Sequence, residues 1–221
     1  EQSLADAKAE GADVRIIYSA MDALELAVEE PDNEIVFFAT GFETTAAPTA
    51  AVLQADPPSN FSVLSAHKYV PPAMDAIAAM PDTHVDGFLA AGHAATITGS
   101  GIFESFVDEF ETPVVVGGFE PLDVLHGLAE LIDLIAADEP GLVNAYPRCV
   151  STEGNTAAQA AMWDVFEAVD GEWRGIATIP EASLELADEY AEWDARNRFD
   201  VEVETGEVDP LTEQCLCGDI M

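Results

Sequence analysis

The chain has 221 residues, 49% of them hydrophobic, enough for one large or two small domains with a sizeable core and too apolar for a disordered chain. Its 43 acidic residues face only 7 Lys and Arg, a formal charge of −36, so the clustered cations that phosphate contacts need are missing and nucleic acid is excluded as a partner. No apolar stretch approaches the length of a membrane span.

Residues 14–18 (VRIIY) read as a strand, with Ser19 as the N-cap of a helix to about residue 29. Residues 35–39 form a short run apolar on both faces, as a buried parallel strand is. Gly41 breaks it, Thr44 and Thr45 are placed to cap the next helix, and the Ala-rich stretch to residue 55 has helix propensity. A third strand is expected at 61–65, then a helix opened by Pro71-Pro72 and ending at 80. A fourth strand at 85–90 runs into Ala91-Gly92-His93, and a helix extends to 110. Residues 112–120 (TPVVVGGFE) repeat the strand-and-turn pattern, with a helix from Pro121 to 137. Beyond it, 144–150 and 173–179 read as extended, 155–169 and 184–198 as helical, and the pattern fails from 199. Strands alternating with helices of roughly 10–15 residues give an α/β fold with parallel sheets. The expected domains are 1–83, 84–198 and a tail at 199–221.

Two triplets organise this pattern. Gly41-Phe42-Glu43 and Gly118-Phe119-Glu120 lie 77 positions apart, each after a strand and each opening a helix. In open α/β folds ligands collect at the carboxyl ends of the strands. The repetition therefore points to two similar α/β domains whose strand ends face a shared cleft. Glu43 and Glu120 are candidate acid–base or partner-holding carboxylates; either is also explained locally, since helix N-termini favour carboxylates. His93, at the end of a strand, is a candidate titrating group or metal ligand, although lone histidines more often pack as ordinary hydrogen-bonded residues. His67 is a weaker candidate, and His84 and His126 read as surface positions. Gly41, Gly92 and Gly118 suit close backbone approach to a ligand or simple turn geometry. The strings match neither the dinucleotide fingerprint nor the P-loop.

Three cysteines, Cys149, Cys215 and Cys217, make no disulfide framework and fit a reducing, cytoplasmic setting. Cys215-Leu216-Cys217-Gly218 places two thiols where both reach one metal or cluster, whose site takes about four ligands. The acids are scattered along the whole chain, which fits solubility in very high salt better than one cationic docking site.

The motifs GFETT (41–45), NFSVLSAHK (60–68) with PPAM (71–74), DGFLAAGHAATITG (86–99), GGFEPLDVL (117–125), EGN (153–155), WRGI (173–176) and CLCG (215–218) occur together in this order. In this the chain resembles the HypD family of [NiFe]-hydrogenase maturation proteins, with a haloarchaeal composition. The resemblance implies a cytoplasmic metallo-scaffold more than a stand-alone enzyme. On it an iron acquires two cyanides and one carbon monoxide, Fe(CN)2CO, with a HypC-like small chaperone and a HypE-like cyanide donor, before transfer to the hydrogenase large subunit. It also implies two α/β domains with the motifs in the cleft between them, and a third region holding a [4Fe–4S] cluster. The implied cleft or iron-site residues are Gly41, Phe42, Glu43, Thr44, Thr45, Gly92, His93, Gly118, Phe119, Glu120 and Pro121, with Cys215 and Cys217 as metal ligands. Family cysteine motifs normally precede the first residue and follow the last, so the expectation is a central portion truncated at both ends. Around His93 the family usually has Pro and Val-Ser where this chain has Ala91 and Ala94-Ala95. The alternative from another class is an α/β enzyme using Glu43 and Glu120 as an acid–base pair on a small substrate; a pure binding module is a third.

Overall fold

A computed structural model describes residues 3–81, 83–173 and 176–199. In chain order the elements are α1 (Leu4–Ala9), α2 (Ala20–Glu29), β1 (Ile35–Gly41), α3 (Glu43–Leu53), β2 (Phe61–Lys68), α4 (Val70–Ala78), β3 (Phe88–Ala91), α5 (Gly92–Thr98), α6 (Glu104–Phe110), β4 (Val114–Gly117), α7 (Pro121–Ala137), β5 (Leu142–Asn144), α8 (Thr156–Val165), β6 (Phe166–Trp173), β7 (Ala177–Leu186) and α9 (Ala195–Phe199). Short 3₁₀ turns at Ser100–Phe103 and Asp188–Trp193 complete the described elements.

The fold is α/β with two sheets. One has strand order β1-β2-β7-β6 and the other β3-β4-β5. The second sheet is wholly parallel, and all of β4, its central strand, is buried. The first is mixed: β1 and β2 are parallel, while β7 runs antiparallel to both β2 and β6. The chain thus returns to its first sheet after building the second. A core of Ala23, Ala46, Leu53, Phe61, Met162 and Phe166 lies between that first sheet and helices α2, α3 and α8. Helix α4 joins the two halves, Met74 packing into the core of the second sheet and Ala73 against Ile179 and Ala182 of β7.

Several expectations change here. Among the described residues, 12–17 form no ladder, because β1 pairs there only with β2 and an extended segment without a partner strand is not a strand. Only one face of β1 is covered; Val36 and Phe38 on the other are exposed, so its apolar run is not buried on both faces. Helix α8 ends at Val165, and the residues expected to continue it enter β6, where Val169 and Glu167 pair with Ser183 and Glu185. The helix expected over 184–198 is instead the end of β7, a 3₁₀ turn and α9, since Leu184 is tied into the sheet opposite His67 and Ala168. The extended reading of 144–150 shrinks to β5, after which Cys149 and Val150 N–H groups turn back onto the Tyr146 carbonyl.

Candidate functional site

The first Gly-Phe-Glu triplet lies at the carboxyl end of β1. Gly41 has φ +122°, a region L side chains rarely adopt, and a Cβ there would sit 2.3 Å from Thr45 Oγ1. The chain therefore turns sharply enough for α3 to begin at Glu43, with Phe42 as an N-cap that has no capping side chain. Thr44 and Thr45 do not cap as expected; the Thr45 hydroxyl donates back to the Phe42 carbonyl at 2.9 Å.

Glu43 has no exposed surface. Its Oε1 accepts the Val70 N–H at 2.9 Å, so this carboxyl caps α4 from the first turn of α3. Pro71 and Pro72 follow Val70 and have no N–H, which leaves Val70 as a donor in need of a partner. Among the described residues Glu43 Oε2 is buried without a hydrogen-bond partner, and burial pushes the carboxyl above its ordinary range. In register with Gly41 across the sheet stands His67, itself buried. Its Nδ1 is 3.4 Å from Thr45 Oγ1 and its Nε2 3.3 Å from Thr49 Oγ1. Desolvation lowers the imidazole to about 4, outweighing the Gly41 carbonyl that favours the charged ring. At neutral pH the ring is therefore uncharged and has a single N–H for two hydroxyl neighbours. On the outer side Phe42 lies 6.1 Å from the Trp173 ring of β6.

The second triplet lies at the carboxyl end of β4, beside the end of β3. A Cβ on Gly92 would meet the Gly117 carbonyl at 2.4 Å, and one on Gly118 would meet Asp123 Oδ2 at 2.4 Å, so both loops need glycine to pack. This brings two expected residues together: the exposed His93 ring stacks on Phe119 with centroids 4.2 Å apart. Glu120, on the other hand, is the N-cap of α7 with a side chain 79% exposed, 3.5 Å from Arg148. Pro121 takes the first helical position. Arg148 itself donates to both oxygens of Asp123, at 2.7 and 2.5 Å, and lies over the Tyr146 ring at 4.5 Å. Those bonds hold the Asp123 carboxyl below the usual range. The neighbouring Cys149 thiol pushes Tyr146 up.

The two ends are joined by the EGN segment. The Asn155 N–H reaches the Thr96 and Ile97 carbonyls at 3.1 and 3.0 Å, while its side chain caps α8. Gln159 Nε2 donates to Ile97 and Glu153 carbonyls, each at 2.7 Å, and Ile97 packs against the first core.

The sequence reading undervalued His67 and missed Thr49, Asp123, Tyr146 and Arg148. For Arg148 a signal existed: it is one of 7 basic residues among 43 acids. Glu43 and Glu120 are not equivalent, one being closed from solvent and the other open to it. Among the described residues no group of three or more His, Cys, Asp and Glu is arranged to hold a metal. Cys215 and Cys217 lie outside the described residues.

The family model HypD, described as the hydrogenase formation hypA family, matches residues 1–221. The chain belongs to the HypD family. It is 40% identical over 229 residues to the hydrogenase maturation factor HypD2 of Bradyrhizobium diazoefficiens, covering 99% of this chain and 60% of that protein. It is 42% identical over 201 residues to the HypD of Escherichia coli K12, covering 89% of this chain and 54% of the relative. A putative hydrogenase expression/formation protein of Methanocaldococcus jannaschii is 34% identical over 225 residues, 100% of this chain and 62% of the relative. The chain thus spans about 60% of the length of the HypD relatives it matches. In this HypD chain the GFETT, GHA and GGFEP segments mark the carboxyl ends of three parallel strands, β1, β3 and β4. No helix among the described residues is long and apolar enough to cross a membrane.

Proposed function

We propose that this chain works in [NiFe]-hydrogenase maturation, as part of a cytoplasmic scaffold that carries an iron while it gains two cyanides and one carbon monoxide. The observation that carries this reading is the HypD match along all 221 residues, coupled with the placement of its motifs at parallel strand ends. The iron group is cargo, destined for the hydrogenase large subunit, and a HypC-like chaperone and a HypE-like cyanide donor are the proposed partners. The loops at Gly41–Thr45, Gly92-His93 and Gly118–Pro121 supply the cleft surface between two α/β units, one on each sheet, the first regaining the chain at β6 and β7. Glu43 sets the relation of α3 to α4 from inside, and His93 with Phe119 presents an exposed ring pair to a partner. A buried Glu43 tied to Val70 supports a positioning role over an acid–base role on a substrate.

A [4Fe–4S] cluster normally takes about four thiolates, and this chain has three cysteines, of which Cys149 stands exposed on the loop after β5. Its own residues therefore do not complete that site; Cys215 and Cys217 are proposed as two ligands of a set shared with further family cysteines. The charge of −36 supports a haloarchaeal, high-salt setting.

Titration of the chain with the HypC-like chaperone of its own genome, in concentrated KCl, tests the reading. A one-to-one complex is expected, weakened at least tenfold by Phe119→Asp. The absence of a complex, or a complex indifferent to that change, counts against it.

A further inference from the structure

The first sheet has an unfinished edge. Strand β1 is its outermost strand and, among the described residues, pairs only with β2. The Ile35 N–H donates to the Asn60 carbonyl, and backbone groups alternate sides along a strand. Those of Val36, Phe38 and Thr40 therefore point away from β2. Beyond them runs the segment 14–18, which has the sequence of a strand and joins no ladder. Its side chains nevertheless alternate as a strand's do. Arg15 reaches Glu30 at the end of α2 and Ile17 packs against the first core, while Ile16 and Tyr18 are 81% and 95% exposed. Between this segment and β1 lies a cavity of about 280 Å3. Arg15 and Ile17 line one side, Ile35 and Val36 the other, and Ala23 and Leu26 of α2 cover it.

The walls of this slot are held. Arg15 is clamped by Asp13 at 2.7 Å and by Glu30 at 2.6 Å. Asn60 Nδ2 donates to the Ala27, Glu30 and Asn33 carbonyls, which ties the end of α2 to the start of β1. A chain that passes from 14–18 through α2 to β1 traces a strand–helix–strand crossover. In doubly wound sheets such a crossover can leave room for one strand between the two it joins. The β1 side of the slot offers alternating N–H and C=O groups, and another extended backbone meets both at the right repeat. On the helix side the occupant would touch Ile17, Ala23, Leu26 and Ile35, and on the other the exposed Ile16, Tyr18, Val36 and Phe38. The matching segment is apolar on both faces, as strands inside parallel sheets are. Residues 200–209 do not match, with acids at 200, 202, 204, 207 and 209. A second copy does not fit either: its β1 is already joined to β2 along one edge, and a strand in the slot needs both edges free. We propose that a strand from the part of the HypD length this chain does not span inserts between 14–18 and β1 and gives both a ladder. In Bradyrhizobium diazoefficiens HypD2, of which the match covers 60%, there is such a part to supply it. This rests on membership of the family and not on the maturation reading.

The probes are short overlapping peptides covering the part of HypD2 outside the match, added to the 221-residue chain in concentrated KCl. Hydrogen exchange followed by NMR is the readout. In the free chain the Val36 and Phe38 amides should exchange as those of an open edge do. One peptide, apolar on both faces, should slow both, together with amides within 14–18. The same peptide N-methylated on either alternate set of amides should not bind, because each set faces one wall of the slot. Val36→Pro removes an N–H that faces the slot and spares the β2 ladder, so it should weaken the peptide roughly tenfold, the worth of one ladder bond. Val36→Thr keeps the N–H and should bind as the parent does. Circular dichroism checks the fold of both variants, and the N-methylated peptides keep the test open if Val36→Pro unfolds. A set in which no peptide slows the two amides overturns the proposal. So does equal binding of the N-methylated forms, which would mean apolar adhesion without strand pairing. Val36 and Phe38 amides already protected in the free chain would show the slot filled by the chain itself or by a second copy, and overturn it as well.

Discussion

Gly41→Ala tests how the first strand end is built. At φ +122° an alanine is strained by about 1–3 kcal/mol. Its Cβ would also stand 2.3 Å from Thr45 Oγ1, so the threonine must turn away, losing its bond to the Phe42 carbonyl and its contact with His67 Nδ1. A net hydrogen bond of this kind contributes ~1 kcal/mol. The sum, about 2–4 kcal/mol, is a large share of an ordinary domain's stability. For a chain of this size it corresponds to a fall in melting temperature of roughly 5–15 °C. Thermal melts in concentrated KCl measure it. Thr45→Ala and the double variant complete a cycle: with the hydroxyl gone, the cost of Gly41→Ala should drop by ~1 kcal/mol, leaving the backbone share. A single variant that melts within about 2 °C of the parent, or a cycle with no coupling, would refute the proposed turn geometry.

The same interior sets the response to pH. His67 is held neutral, its folded value about 4 against an ordinary 6.5, so the unfolded chain takes up this proton first as pH falls. Stability should drop between those values by up to about 3 kcal/mol, and His67→Gln should remove that slope in urea titrations. Glu43 has the opposite sign: its raised carboxyl favours the fold below the ordinary glutamate range, and this contribution is lost as pH rises through the raised value. Glu43→Gln should therefore flatten the loss of stability that sets in as pH rises above the ordinary glutamate range; an unchanged profile would mean the carboxyl is not desolvated. With a net charge of −36, the melting temperature should rise steeply from low to molar KCl, as screening contracts to about 3 Å; a flat dependence would remove the halophilic reading. Anaerobic reconstitution of the 221-residue chain should give no stoichiometric, chelator-resistant iron–sulfur cluster, checked by iron, sulfide and visible absorbance; a stable cluster would contradict the ligand count.

Local chemistry was legible where one element decides it. Ser19 with Asp22 is a capping box written within four residues, and Pro121 with the apolar period marks α7 through to its end. The strand ends at Gly41 and Gly117 followed from short apolar runs broken by glycine. What failed was decided by partners distant in sequence. Residues 14–18 look like a strand, but no ladder receives them, and Leu184 looks helical until it is drawn into the sheet opposite His67. The return of β6 and β7 to the first sheet leaves no local trace. The site shows the same division: glycines and triplets were visible, while His67 between two threonines, and Arg148 fastening Asp123, depend on contacts over 18 to 25 positions.

The most direct measurement of the maturation assignment is hydrogenase activity in an Escherichia coli strain whose HypD has its matching stretch replaced by this chain. The relative supplies the remainder of its own length, since the match covers 54% of it. Substitutions that restore net charge on the surface away from the three strand-end loops are allowed, for folding at low salt. The account predicts restored [NiFe]-hydrogenase activity, lost again with Gly41→Ala or with His93→Ala/Phe119→Ala. A folded chimera that leaves the strain without hydrogenase activity, or one whose activity ignores both sets of changes, would contradict it.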